Sequence, residues 1–175
     1  MSLSTTPDKY IESSGSRLSS DFEHLRHSSA FSGLNLDVVK LFAYLSTHRS
    51  YKPGDFLIKQ GQKADQAFIV ISGSAKITVQ HRGRTITLQQ LEKDSFFGEL
   101  ALLAQFKWFF NAQALDDLEV IIIDRTAFQK VIEKYPEHKD RLIERVIQLR
   151  VDRLDSQTAF MLDQVLDDED KKQKL

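Results

Sequence analysis

The chain has 175 residues, with 24 Lys and Arg against 25 Asp and Glu, so its formal net charge is −1. This balance excludes the broad positive surface expected of a nucleic-acid-binding protein. Hydrophobic residues make up 41% of the chain, which is enough to bury a core and excludes wholesale disorder. The lack of cysteine excludes disulfides, thiolate metal sites and cysteine nucleophiles.

Membrane attachment and secretion are not expected either. No apolar run reaches the roughly 18 residues that would span a bilayer, and the first residues lack the apolar segment of a signal peptide. We therefore expect a cytoplasmic protein with no membrane and no nucleic-acid partner.

The amino-terminal 50 residues divide into two parts. Residues 1–20 are rich in serine and threonine and poor in large apolar residues, so we expect a flexible arm. Residues 21–50 place apolar side chains three and four positions apart, as in Phe22 and Leu25, which predicts helices. Asn35 is the expected N-cap of the second helix.

Residues 51–125 have the pattern of short antiparallel strands. Glycine turns separate short apolar runs, and five of the seven glycines fall between Gly54 and Gly98. Ile77 and Val79 alternate with polar residues, as half-buried strands do, and residues 81–84 form a tight hairpin. This spacing indicates an antiparallel sandwich or barrel.

The helical period returns over residues 126–166, and a charged tail follows over residues 167–175. A short helix stops before Pro136, and a much longer one follows. Apolar residues of the long helix recur seven apart, at Ile147, Leu154 and Met161. The first half of this helix is expected to pack along its own barrel. For the second half we favour a homodimer seam with another copy over further packing against the barrel.

Residues 96–103, Phe-Phe-Gly-Glu-Leu-Ala-Leu-Leu, are the most informative stretch. Gly98 opens a short helical turn whose free N–H groups can bind an anion. Glu99 would repel a phosphate beside it unless its carboxylate accepts from a neutral hydroxyl, so a sugar phosphate satisfies both residues. A strand that ends in a capped turn is the structural alternative for this stretch alone.

The same stretch resembles the phosphate-binding cassette of the cyclic-nucleotide-binding domain family, found in the bacterial catabolite activator and in kinase regulatory subunits. Further segments resemble that family in the same order along the chain: 31–34, 51–55, 60–61, 68–73 and 122–125. The resemblance covers roughly residues 31–157. It implies a mainly β fold, an antiparallel jelly-roll β-barrel (a cupin-like double-stranded β-helix), with flanking helices and a long C-terminal helix.

The resemblance also implies the site. Gly98 and the following amides would hold the cyclic phosphate of cyclic AMP or cyclic GMP, and Glu99 would accept from the ribose 2′-hydroxyl. No further cofactor is expected. The candidate binding residues are Phe97, Gly98, Glu99, Leu100, Ala101, Lys107, Trp108 and Asn111.

Two positions depart from the family pattern. Trp108 stands where the family has an arginine that pairs with the phosphate, and Asn111 stands where it has serine or threonine. Loss of such a charge-assisted bond weakens binding by about 1.5–3 kcal/mol, or about ten- to hundredfold. Lys107 is a partial substitute, because a flexible point charge replaces a planar guanidinium poorly. Arg153 and Leu154 occupy the positions where activator-type members carry hydroxyl residues that contact the base.

These observations leave two hypotheses from different classes. The first is a stand-alone cyclic-nucleotide-binding regulatory module, with weakened or altered ligand binding, that signals through an unknown protein partner. The second is a ligand-independent dimerisation or interaction domain that kept the fold and lost the nucleotide. An enzyme is not expected, because the sequence offers no recognisable nucleophile context and no cluster of metal ligands.

Overall fold

The computed structural model describes the backbone of residues 8–173, with side chains described for residues 15–159 and for Leu162. Four helices are present: α1 (Asp8–His27), α2 (Leu36–Leu45), α3 (Arg125–Lys134) and α4 (Lys139–Gln173). The strands are β1 (Thr47–Tyr51), β2 (Phe56–Ile58), β3 (Lys63–Ala64), β4 (Gln66–Ser72), β5 (Ala75–His81), β6 (Arg84–Leu91), β7 (Phe96–Phe97), β8 (Phe106–Lys107), β9 (Asn111–Ala114) and β10 (Leu118–Asp124).

The strands form two four-stranded antiparallel sheets and one two-stranded ribbon. The first sheet has the order β1-β10-β4-β7, the second has the order β2-β9-β5-β6, and β3 pairs with β8. This is the mainly β, jelly-roll-like architecture with flanking helices that the sequence predicts. Within the described residues the hydrogen bonding does not join the two sheets into one closed barrel.

The first sheet lies between two apolar cores, which explains its long apolar runs. Alternate side chains of β10 point to opposite faces. Ile121 and Ile123 join a core shared with the helices, whereas Val120 and Ile122 join the core between the two sheets. A strand buried on both faces is apolar at successive positions, as the run from Val120 to Ile123 is.

Three local predictions of the sequence are confirmed. The Asn35 side chain accepts a hydrogen bond from the backbone N–H of Asp37 at 2.9 Å, and so caps α2. A two-residue turn, Arg82 and Gly83, joins β5 to β6 with both residues at positive φ. The helix α3 ends immediately before Tyr135 and Pro136.

The expected helical span through residue 50 is wrong at its end, because Thr47–Tyr51 is a strand, β1, paired with β10. Its side chains are exposed or half-buried. An edge strand with a polar sequence carries no apolar alternation, so a sequence pattern cannot reveal it.

The ends of the chain also differ from expectation. The helix α1 begins at Asp8, so residues 8–20 are helical although an arm was predicted through residue 20. Residues 15–20 are exposed, and residues 1–7 lie outside the described part. The helix α4 likewise continues through the expected tail to Gln173.

None of the described helices is both long and apolar enough to cross a membrane.

The hairpin of β5 and β6 contains a register shift between Ile77 and Thr78. Ile77 and Thr78 are both buried, and Val79, which the sequence alternation places with Ile77, is half-buried. Ile77 pairs with Gln89 and Thr78 pairs with Thr87, so Leu88 is the extra residue of a β-bulge in β6.

Candidate ligand-binding site

The cassette begins where β7 ends, at Gly98. Its φ of +80° is a left-handed conformation that disfavours residues with a side chain. A Cβ at this position would also lie 2.9 Å from the carbonyl oxygen of Gln66 and 3.1 Å from the Trp108 ring. Only glycine therefore allows the chain to turn here into the 3-10 turn Glu99–Leu102.

Glu99 lies at the start of this turn and is 2% exposed. Its carboxylate pairs with the Arg153 guanidinium from α4, with 3.5 Å between Nη1 and Oε2. Arg153 also donates a hydrogen bond to the carbonyl oxygen of Phe96. A buried carboxylate is stable only with such a partner. The helix α4 is thus attached to the cassette through Glu99, the residue that the resemblance predicts to accept a hydrogen bond from a ribose hydroxyl.

The environment of Arg153 lowers the pKa of its guanidinium. Burial is the main cause, Glu99 opposes it, and Arg150 adds to it by like-charge repulsion. The site therefore contains two arginines close to a single carboxylate, and positive charge is in excess.

Trp108 is buried in the cassette, although an arginine was expected at this position from the family. Its indole packs against Phe106 and Phe110, with ring centroids 5.3 and 5.2 Å apart. The backbone of Trp108 is fixed by hydrogen bonds to Gly61 and Gln62. An indole has one N–H donor and no charge, so it cannot neutralise a phosphate.

Two adjoining cavities open around these residues. The smaller, about 30 Å³, lies at the cassette. Its lining is Gly98, Glu99, Leu100, Phe106, Trp108, Phe109, Phe110, Arg150 and Arg153. The larger, which we call the hairpin cleft, has a volume of about 180 Å³. Its lining is Ile77, Leu88, Gln89, Phe109, Phe110, Arg150, Arg153 and Gln157.

The structure brings half of the sequence-predicted residues together. Gly98, Glu99, Leu100 and Trp108 line the smaller cavity. Ala101 is fully buried, and its carbonyl oxygen accepts a hydrogen bond from Arg125 Nε at 2.7 Å. Ala101 thus fixes the turn rather than lining the cavity.

The other predicted residues lie outside the cavity lining. Phe97 is fully buried and stacks on Phe68, where it anchors β7 to β4. Lys107 is exposed on β8, opposite Lys63. The Asn111 side-chain oxygen accepts from the backbone N–H of Gln60 at 2.9 Å, so it holds the neighbouring loop.

Sequence reasoning missed Arg150 and the contact made by Arg153. Arg150, Arg153 and Gln157 are three and four residues apart, so they share one face of α4. The Gln157 amide donates to the Gln89 side chain at 3.4 Å, which links α4 to β6. The spacing was visible in the sequence, but the contact with Glu99 joins residues 54 positions apart and depends on how α4 packs.

Among the described side chains, those of residues 15–159 and Leu162, no group of three or more histidine or acidic residues lies close enough to hold a metal ion. The buried acid at the cassette, Glu99, has an arginine as its partner instead.

Comparison with known proteins places this site in a family context. The family described as "Cyclic nucleotide-binding domain" matches residues 48–135, about half of the chain. Among curated proteins, the chain is similar to the cGMP-dependent protein kinase egl-4 of Caenorhabditis elegans, with 36% identity over 108 residues. That alignment covers 59% of this chain and 14% of the kinase.

Solved structures give the same result. The cyclic nucleotide-binding-like protein of Brucella abortus is 26% identical, with a TM-score of 0.59, and the alignment covers 65% of this chain and 98% of that one. The catabolite activator protein of Thermus thermophilus is 25% identical, with a TM-score of 0.63, and the alignment covers 78% and 62%.

Proposed function

Because the chain belongs to the cyclic nucleotide-binding domain family, we propose that it is a ligand-sensing regulatory module with weakened affinity for cyclic nucleotides. The proposed role is not enzymatic. The chain spans 14% of the length of the kinase relative, and the proposal does not extend to the kinase activity of that relative. A signal would pass to a protein partner.

The observation that carries this proposal is the retained cassette backbone. Gly98 keeps its left-handed conformation, and the turn after it begins with a buried carboxylate at Glu99. The amides at the start of such a turn can bind an anion. The relatives support a cyclic nucleotide as the ligand class, since the kinase is named as cGMP-dependent.

Two residues weaken the affinity of the wild-type chain for cyclic nucleotides. Trp108 replaces the expected phosphate-binding cation with an uncharged ring. Arg153 already occupies the Glu99 carboxylate, so a ribose hydroxyl must compete with an ion pair. Both features act on the same small cavity.

A ligand-independent interaction domain is the second candidate. The observation that favours it is the cavity of about 30 Å³ at the cassette, which is far smaller than the roughly 300–1,000 Å³ of a small-molecule pocket. On this hypothesis the Trp108 ring and the Arg153 side chain substitute for a ligand and keep α4 in one position.

The proposal includes the homodimer expected through α4. Apolar residues on this helix are about half exposed in the single chain, including Ile147 at 50% and Leu154 at 46%. The third seam residue, Met161, lies outside the described side chains. The cytoplasmic location expected from the sequence stays a prediction.

The experiment that tests the proposal is calorimetric titration of the wild type and of Trp108→Arg with cyclic AMP and cyclic GMP. We expect weak binding by the wild type and a gain of about ten- to hundredfold in the variant, because a guanidinium then pairs with the phosphate. Asn111 stays unchanged, since it holds the Gln60 loop.

Trp108→Gln is the matched control, because it removes the indole without adding charge. An equal gain in both variants would mean that ring volume, and not charge, limits binding. No binding by any variant would favour the ligand-independent domain. Tight binding by the wild type would show that its site is not weakened.

A further inference from the structure

The hairpin cleft is a second cavity beside the cassette and is about six times as large, at about 180 Å³ against about 30 Å³. Two walls come from the sandwich, with Ile77 on β5 and Leu88 on β6, and α4 closes a third side. Leu88, the extra residue of the β-bulge in β6, is among the lining residues.

The charge in the cleft is unbalanced. Arg150 and Arg153 line both cavities, and Glu99 is the only acidic residue lining either one within the described part of the chain. A partly buried guanidinium without a full counter-charge is unfavourable, which the lowered pKa of Arg153 also reflects. An anion in the cleft would supply the missing negative charge.

The remaining lining is aromatic and apolar. Phe110 is buried, but Phe109 is 55% exposed although it packs edge-on against Phe110 at 4.9 Å. A large exposed ring at the mouth of a cavity offers a stacking surface to a flat ligand. The linked amides of Gln89 and Gln157 also line the cleft and can donate or accept hydrogen bonds.

The size of the cleft restricts the ligand. Pockets for drug-sized ligands have volumes of about 300–1,000 Å³, whereas this one has about 180 Å³. The space suits one ring with an acid group better than a whole nucleotide.

We propose that the hairpin cleft binds a small aromatic anion, whose carboxylate or phosphate is held by Arg150 and Arg153 and whose ring lies against Phe109. This inference rests on the proposed function, because it names a ligand class for the same sensing module. In this inference the anionic group of the ligand contacts the arginines of α4, whereas in the proposed function it contacts the amides of the cassette. Arg153 can make these contacts while paired with Glu99, since a guanidinium carries five N–H donors.

The test is calorimetric titration of the full chain with benzoate and with phenyl phosphate, the two sources of an aromatic anion. Benzamide is the neutral control for benzoate, and inorganic phosphate is the control without a ring. We expect at least one aromatic anion to bind about tenfold or more tightly than either control, because only it provides both the charge and the ring.

The decisive variant is Arg150→Gln, which we expect to weaken that binding by about tenfold or more. Arg141→Gln is its matched control, because Arg141 is an exposed arginine on the same helix and lines neither cavity. The double variant Glu99→Gln with Arg153→Gln removes the second guanidinium without leaving a buried charge unpaired.

The proposal is overturned if neither aromatic anion binds more tightly than its control, or if Arg141→Gln weakens the binding of the aromatic anion as much as Arg150→Gln does. Failure of the proposed function gives a different pattern. In that case Trp108→Arg gains no affinity for cyclic nucleotides, whatever the result with benzoate. A gain in Trp108→Arg, with neither benzoate nor phenyl phosphate bound by the wild type, would reject the cleft proposal alone.

Discussion

Gly98 and Gly83 have the same left-handed backbone, with φ of +80° and +75°, but different surroundings. A Cβ at residue 98 would lie 2.9 Å from a carbonyl oxygen, whereas a Cβ at residue 83 meets nothing within 4 Å. We expect Gly98→Ala to lower the free energy of unfolding by about 1–3 kcal/mol more than Gly83→Ala does. Urea denaturation of both variants measures the difference.

Equal losses in these two variants would contradict the close approach at residue 98, since backbone strain alone is common to both. Gly83→Ala therefore isolates the strain of a left-handed residue from the steric contact with the Gln66 carbonyl and the Trp108 ring.

At the residue scale, the sequence predicted the local part of the site and missed the part that depends on packing. Gly98 and Glu99 are adjacent, so their pattern already indicates a turn that binds an anion. The partner of Glu99 is Arg153, on another element. No pattern within a short window connects the two. The burial of Trp108 likewise depends on its contacts with Phe106 and Phe110.

At the element scale, α1 is held to the first sheet by a buried polar contact. His48 on β1 donates to the Asp21 carboxylate at 2.8 Å, and Asp21 is 4% exposed. We expect His48→Ala to lower the free energy of unfolding by about 1–3 kcal/mol, because it leaves a buried acceptor without its donor. Thermal or urea denaturation measures the loss.

The matched control is His27→Ala, since His27 is exposed and its ring nitrogen bonds to Glu23 within the same helix. We expect His27→Ala to change the free energy of unfolding by no more than about 0.5 kcal/mol, as substitutions at most surface positions do. If His48→Ala were equally mild, the Asp21 carboxylate would not depend on His48.

How well each strand could be predicted follows from its burial. The strand β10 is buried on both faces, so its sequence from Val120 to Ile123 is apolar throughout and predicts a buried strand. The strand β1 lies at a sheet edge with the sequence Thr-His-Arg-Ser-Tyr, so its sequence does not distinguish it from the end of the preceding helix. The bulge at Leu88 is not visible in the sequence, because the period of two continues through Ile86 and Leu88.

The helix α4 combines two roles on different faces. Arg153 points to the cassette, whereas the next residue, Leu154, is 46% exposed. Successive residues of a helix project about 100° apart, so one helix can close the site and still offer an apolar stripe. Any rotation of α4 that releases Glu99 would also move that stripe.

At the scale of the whole molecule, this stripe predicts the oligomeric state. We expect the wild type to be a dimer and Leu154→Asp to be a monomer, because a carboxylate in a two-stranded seam is desolvated without a partner. Light scattering at tens of micromolar protein measures the mass. Ala159→Asp is the control, since residue 159 is exposed on α4 and lies away from the seven-residue repeat.

A monomeric wild type would contradict the seam, and so would an Ala159→Asp variant that dissociates as readily as Leu154→Asp. A dimer that survives Leu154→Asp would place the contact on another surface of the molecule.

Trp108 has an optical consequence for the whole chain, because it is the only tryptophan in the sequence. Its indole belongs to the core between the two sheets and lines the cassette cavity. Tryptophan emission therefore comes from one place, a few ångströms from Gly98, and the core shared with the helices contributes none. Trp108, at the position where the resemblance predicts an arginine, therefore reports on the candidate site by its own fluorescence, and the variant Trp108→Arg loses that signal.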